Sequence, residues 1–255
     1  MSEENSGADL IKRNVKLDLL RVSPFGSHMF GEPFMPWAIR ESRVFPKNIL
    51  EDAEVNSEII FSKASEFEKY KDKSVLIIGG GPSSSEFDFS KASPDFTWSV
   101  NHFFLSPVIN KLKVDMAMIM GEPDIRSKEF LEYRDRNNIM IGLEIHDRWK
   151  GYKFDDYNNY FLMHTDFYSK LGACVRMIIF ACFLKVKKIS FIGLDGPKYI
   201  AKGQHSFETN KKTLPSAFSP ELYKWHYTLF WDYVKREFKE VEFENLGYGQ
   251  EYHPV

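Results

Sequence analysis

Cysteine is almost absent: Cys174 and Cys182 are the only two in 255 residues. They stand eight positions apart in a stretch that reads as one helix, which sets them roughly 12 Å apart along its axis. That is too far to bridge. A disulfide-stapled scaffold is excluded, and a reducing, cytoplasmic setting is expected. No apolar run approaches the ~18 residues that a membrane-spanning helix needs. The nearest, Leu171 to Leu184, is interrupted by Arg176 and reads as a buried helix. Met1 to Asp9 is polar and acidic, without a signal-peptide pattern. An excess of one charge is missing too: the formal net charge is -2, which gives no electrostatic case for nucleic acid as a partner. His28, His102, His146, His164 and His253 lie far apart and neither cysteine has a histidine nearby, so no zinc site and no other metal site is expected. A Gly-x-Ser-x-Gly nucleophile elbow is also lacking.

What the chain does have is apolar and aromatic mass. Hydrophobic residues make up 43% and aromatics 16%, with 23 Phe, enough for a large core, or for a core plus a surface that stacks sugars or bases. The first ~10 residues read as a disordered tail. Ile11 to Pro46 is irregular, and Glu51 to Lys71 looks helical. Residues 1–70 are therefore expected to form an extension that packs on the main domain or on a second subunit. From Lys73 onward strand and helix signals alternate. Strands are expected at Ser74–Ile78, Thr97–Val100, Asp115–Met120, Ile139–Leu143, Tyr160–Met163, Ile189–Ile192 and Val241–Phe243. Helices are expected at Ser84–Phe89, Ser127–Asn137, Leu171–Lys185 and Pro220–Phe238. Short apolar strands separated by helices predict an α/β fold, a doubly wound, mostly parallel Rossmann-like sheet over residues 71–255.

The sharpest local signal is the apolar strand that breaks into Gly79-Gly80-Gly81-Pro82-Ser83. Glycines let a phosphate approach the backbone, Pro82 suits the first turn of a helix, and Ser83 can cap it. The loop has no Gly-Lys-Ser/Thr and no third fingerprint glycine, which sets it apart from ATPase and dinucleotide loops. A plain tight turn is the alternative. Asn101 closes the second strand where an acid would hold a ribose, and offers both a donor and an acceptor to a base or ribose; a turn-forming Asn is the alternative. Glu122 or Asp124, after the third strand, can meet a sugar hydroxyl or a metal, although Asp124 reads at least as well as a solvated helix cap. No Asp-x-Asp pair is present. Ser169 and Lys170 open the buried helix, whose N-terminus favours an anion. Asp195, a candidate catalytic residue, sits between Gly193 and Gly196 at the end of the sixth strand, and Tyr199, a candidate nucleotide contact, and His205 follow in a polar loop. His205 is the natural general base because its ordinary pKa lies near neutrality. His226 competes, but lies in an amphipathic helix beside Trp225, Tyr227 and Trp231 and reads as a packed residue.

These blocks together resemble a known family. Gly79 to Ser83, Phe87-Asp88-Phe89-Ser90, Pro94-Asp95-Phe96, Asn101-His102-Phe103-Phe104, the Gly193-Leu194-Asp195 strand end and Gly203 to Thr209 are similar to the bacterial lipooligosaccharide sialyltransferases. The related motility-associated flagellin glycosyltransferases and hydroxymethylpterin diphosphokinase-like proteins share the same skeleton. The resemblance spans about Lys71 to Gly249. It implies that Gly80 to Ser83 and Asn101 hold the cytidine nucleotide of an activated acidic sugar, with Glu122 near the sugar. The Ser169–Ala173 turn would face the sugar's carboxylate or the acceptor. A Tyr of that family stands where His205 stands here and helps hold the phosphate. The family's general-base His falls ahead of the last long helix, where Ser216 to Leu222 contains none, so His205 or His226 takes its place or the chemistry differs.

The expected activity is a metal-independent glycosyltransferase of bacterial surface glycan biosynthesis. It would use a CMP-linked acidic sugar as donor substrate, a glycan or protein as acceptor, and no tightly bound cofactor. Peripheral membrane association and a homo-oligomer stay open. Two alternatives are a pterin-type diphosphokinase using ATP and Mg²⁺ and a non-catalytic nucleotide-binding protein of the same fold.

Overall fold

In the computed structural model, residues 64–119, 125–144, 160–163, 171–200, 203–211 and 219–249 are described. A short helix α1 (Ala64–Phe67) runs into a 3-10 turn at Glu68–Tyr70; the rest of the expected extension lies outside the described residues. Phe67 and Tyr70 are buried, with Tyr70 edge-on to Trp98 at 5.0 Å and Phe67 edge-on to Phe180 at 5.7 Å. The last turn before Lys71 thus belongs to the core of the sheet domain.

The strands are β1 (Ser74–Ile78), β2 (Phe96–Val100), β3 (Met116–Ile119), β4 (Met140–Glu144), β5 (Tyr160–Met163), β6 (Lys188–Ile192) and β7 (Glu242–Asn245). They form a seven-stranded sheet in the order β5-β4-β3-β2-β1-β6-β7. Each of the six pairings between them is parallel. This is the expected α/β Rossmann-like architecture, and a parallel sheet covered by helices explains why β1 and β3 read as continuous apolar runs. The chain builds outward from β1 to β5, then returns to the centre and adds β6 and β7 on the other side. Strand order therefore reverses between β1 and β6, the point at which ligands bind outside the carboxyl ends of open α/β sheets.

Register places Ile77, Trp98 and Phe191 side by side on one face. There, Phe180 of α4 (Ala173–Phe183) lies 6.0 Å from Trp98. Trp231 of α6 (Pro220–Glu237) stacks on Phe191 at 5.0 Å. Helix α4 is apolar nearly all round, and its Cys174 and Cys182 are free and buried; burial pushes the Cys174 thiol to about 12. Helix α6 is amphipathic, burying Tyr223, His226, Tyr227, Phe230, Trp231 and Val234 at helical spacing. Ser219 caps it, its hydroxyl accepting the Leu222 N–H at 3.1 Å. Helix α3 (Lys128–Asn137) is capped by Ser127 and ends at Asn138 in the left-handed region. The helix expected at Ser84–Phe89 is instead a single turn, α2 (Ser83–Glu86), followed by a 3-10 turn at Phe89–Lys91. Phe87 is extended, and the Asp88 carboxylate accepts the Ser90 N–H at 3.1 Å, which starts the new turn. Helix α5 (Pro197–Ile200), not expected, follows β6.

Candidate nucleotide site

Beyond β1 the glycine turn lies against the end of β6. Gly79 N–H donates to Ile192 C=O at 2.7 Å and Gly81 N–H to Gly193 C=O at 2.9 Å. Gly193 holds φ +75, and a Cβ there would stand 2.1 Å from the Gly79 carbonyl oxygen. Backbone packs directly on backbone here, which is what the glycines permit. Ser83 N–H donates to Asp195 Oδ2 at 3.1 Å, and Gly193 N–H donates to the Ser83 hydroxyl at 3.1 Å. The second oxygen of Asp195 accepts the Tyr248 N–H at 3.1 Å, and its carbonyl takes the Tyr223 hydroxyl at 3.2 Å. Asp195 is fully buried. Burial pushes its carboxyl up, opposed by the Ser83 and Tyr248 donors. With both oxygens engaged by main-chain N–H groups, Asp195 is a clamp that ties the glycine turn to the ends of β6 and β7. Its burial and its two main-chain donors give it the geometry of a structural acceptor.

Gly80 is different. Among the described residues its N–H, alone among those of Gly79 to Ser83, has no acceptor. Its open side is covered by the 203–211 loop. A Cβ on Gly80 would lie 2.3 Å from Cε1 of His205, Ser206 N–H donates to Gly80 C=O at 3.0 Å, and the Ser206 and Ser84 hydroxyls meet at 2.6 Å. His205 Nδ1 accepts the Phe207 N–H at 3.3 Å, so the neutral ring carries its proton on Nε2. Burial pushes this imidazole down to about 4, with Lys211 adding to the effect and Glu208 opposing it.

Beside Gly80, at the carboxyl end of β2, Asn101 sits at φ 49, a left-handed conformation that Asn tolerates, and its N–H donates to Met118 C=O at 2.7 Å. The next residue, His102, places Nδ1 at 3.0 Å from Glu208 Oε2. Glu208 also pairs with Lys211. Burial pushes its carboxyl up, but the Lys211 ammonium and the His102 imidazole outweigh that and hold it below the usual range. On the far side of α2, Tyr199 packs its ring 5.2 Å from Tyr248, and the Tyr248 hydroxyl donates to Glu86.

Gly79, Gly80, Gly81, Pro82, Ser83, Asp195 and His205 thus converge at one place, with Asn101 on the neighbouring strand and Tyr199 on the outer rim. His226 lies fully buried on the inner stripe of α6, one turn beyond Tyr223. Glu122, Ser169 and Lys170 fall outside the described residues. Sequence reasoning missed the His102–Glu208 pair and the Ser84–Ser206 contact. For His102 a signal existed, its place directly after Asn101 at a strand end. For Glu208 the only signal was membership of a polar loop.

The chain matches no family model and no curated protein. Among solved structures it is similar to the sialyltransferase CstII from Campylobacter jejuni in complex with the substrate analogue cytidine-5'-monophosphate. The TM-score is 0.50 at 17% identity, covering 69% of this chain and 81% of that one. A tyrosine-to-phenylalanine variant of Cst-II in complex with CMP gives a TM-score of 0.49 at 15% identity over 67% of this chain and 80% of that one. At this identity the likeness is one of fold.

Proposed function

We propose that the chain is a metal-independent glycosyltransferase that takes its sugar from a CMP-linked donor. The observation that carries this reading is Gly80. It has an unanswered N–H at the carboxyl edge of the sheet, next to Asn101 and beside the reversal of strand order, under a loop of polar side chains. The fold, like that of a CMP-bound sialyltransferase, supports it. In this reading Gly80 N–H meets the donor phosphate, Asn101 meets the cytidine, and Tyr199 forms the outer wall. Glu122, Ser169 and Lys170 face the sugar or the acceptor. The His205 ring rests where a phosphate would approach Gly80, so donor binding turns this ring aside to flank the phosphate while the 203–211 loop stays docked through Ser206 and Glu208. A neutral ring on Nε2–H then serves as a hydrogen-bond donor to the leaving phosphate as charge develops. Metal independence comes from the family resemblance.

Isothermal titration with CMP, UMP and ATP, each with EDTA and with Mg²⁺, tests this. CMP should bind in EDTA and bind more tightly than the others. Binding of ATP alone, and only with Mg²⁺, would move the assignment to a diphosphokinase. CMP binding without turnover of any CMP-sugar would favour a non-catalytic nucleotide-binding protein.

A further inference from the structure

Two imidazoles stand at this site, and their surroundings prepare them for opposite work. His205 has Nδ1 occupied by the Phe207 N–H at 3.3 Å, so the nitrogen that would accept a proton is already in use. His102 has Nδ1 at 3.0 Å from Glu208 Oε2, and both side chains keep about one-fifth of their surface exposed (21% and 22%). The His102 Nδ1 atom is itself buried, so that exposure belongs to the rest of the side chain. The contact is at ion-pair distance without hydrogen-bond geometry, so Glu208 acts on this ring through its charge and stabilises the imidazolium that forms on proton uptake. Against the effect of burial, Glu208 is kept ionised for this by the Lys211 ammonium. Among the described residues, the titratable groups facing His102 are Glu208 and His205, with Lys211 behind Glu208, all on the 203–211 loop.

We propose that His102, paired with Glu208, is the general base of the transfer, an inference that rests on the glycosyltransferase reading above. His102 Nε2 takes the proton of the acceptor hydroxyl while that oxygen bonds to the anomeric carbon. The bond from the anomeric carbon to the phosphate oxygen breaks, its electron pair leaves with CMP, and the imidazolium held against Glu208 later gives its proton to solvent. His102 sits one residue from Asn101, so the base and the nucleotide contact are set by the same strand end. Glu208 is the positioning residue. Because it belongs to the loop that lies over Gly80, the base is paired only while that loop is docked.

The test compares the full chain with His102→Gln and Glu208→Gln in three measurements: CMP binding by calorimetry, CMP-sugar hydrolysis and transfer across pH, and imidazole titration by NMR. CMP should bind all three proteins within about threefold, which also shows that the variants fold. Turnover should fall about 10²- to 10⁴-fold in His102→Gln and about 10- to 100-fold in Glu208→Gln. In Glu208→Gln the acid limb of the rate profile and the His102 titration should both move about one unit lower, because the carboxylate that favours the imidazolium is gone. Wild-type protein that fails to bind CMP overturns the glycosyltransferase reading and this inference with it. CMP binding with turnover unchanged in His102→Gln, or with the His102 titration unmoved in Glu208→Gln, overturns this inference alone. Wild-type protein that binds CMP and turns over no donor overturns both.

Discussion

The seam between β1 and β6 and the corner where β2 meets the 203–211 loop lie on either side of Gly80 and handle their polar groups in opposite ways. At the seam the main-chain donors of Gly79, Gly81, Ser83, Gly193 and Tyr248 face fixed partners. Ser83 N–H and Tyr248 N–H share the Asp195 carboxylate, Gly193 N–H meets the Ser83 hydroxyl, and Gly81 N–H meets the Gly193 carbonyl. At the corner, charge is concentrated rather than neutralised by backbone. Glu208 gathers His102 and Lys211 around one carboxylate, with His205 Nδ1 3.8 Å away, on side chains that still reach solvent. A buried, fully partnered acid such as Asp195 contributes rigidity, because changing its ionisation would leave main-chain donors without an acceptor. A partly exposed imidazole–carboxylate pair can exchange a proton. On the proposed reading, the difference gives the seam a positioning role and the corner the chemistry.

The largest expected effect breaks the seam. Gly193→Ala would have to hold φ +75 and place a Cβ 2.1 Å from the Gly79 carbonyl oxygen. Left-handed strain and backbone displacement together should cost at least roughly 3 kcal/mol, lowering the melting temperature by about 6–12 °C for a chain of this size. Thermal denaturation measures it. A fall of less than about 2 °C would show that the seam yields easily and does not position the turn.

The two regions were not equally legible in the sequence. The seam announces itself. A strand of apolar residues running into Gly79-Gly80-Gly81-Pro82 is a local pattern, and β1 has the limits that the pattern gives, Ser74–Ile78. The other strands, α3, α4 and α6 also fall within about two residues of expectation, because burial on a parallel sheet or on an amphipathic stripe leaves a period in the sequence. The roles of the seam residues were not legible. Glycine in a turn signals close approach, but it does not say whether a phosphate or another backbone does the approaching. At Gly79 and Gly81 it is Gly193 and Asp195. The corner is silent in sequence for a different reason. His102 and Glu208 meet only after the chain has crossed the sheet and come back to its centre, and no local period encodes a pair brought together by topology. The short turn α2 was misjudged because Asp88 competes for the backbone of the residues after it.

The second prediction separates corner from seam by pH. The His205 imidazole is pushed from its ordinary 6.5 to about 4 in the folded protein, so between these values the unfolded chain binds the proton and the folded one does not. Stability therefore falls as pH drops from about 6.5 toward 4, by at most roughly 3 kcal/mol for a displacement of this size. The ring lies on the 203–211 loop, which can open by itself, so the loss should appear first as faster amide exchange at Ser206, whose N–H is held by Gly80. In His205→Gln that exchange should become nearly independent of pH across the window, apart from the intrinsic exchange rate. Equal acceleration at Gly81 and Ser83 would mean that the seam opens with the loop and that the two regions are one unit.

The smallest expected effect marks the outer limit of the seam. Tyr248 contributes to it through its main chain, whose N–H reaches Asp195 Oδ1 at 3.1 Å. Its hydroxyl points the other way, to Glu86 on the exposed side of α2. Tyr248→Phe keeps the N–H and the ring that packs 5.2 Å from Tyr199, and removes only a surface hydrogen bond. Stability should change by no more than about 1 kcal/mol, read from urea denaturation, and CMP affinity should stay within about twofold. A larger loss of affinity with stability intact would mean that the hydroxyl or Glu86 touches the donor. The site would then wrap around α2 from both sides of Gly80, and the chemistry assigned to the corner would extend across the seam.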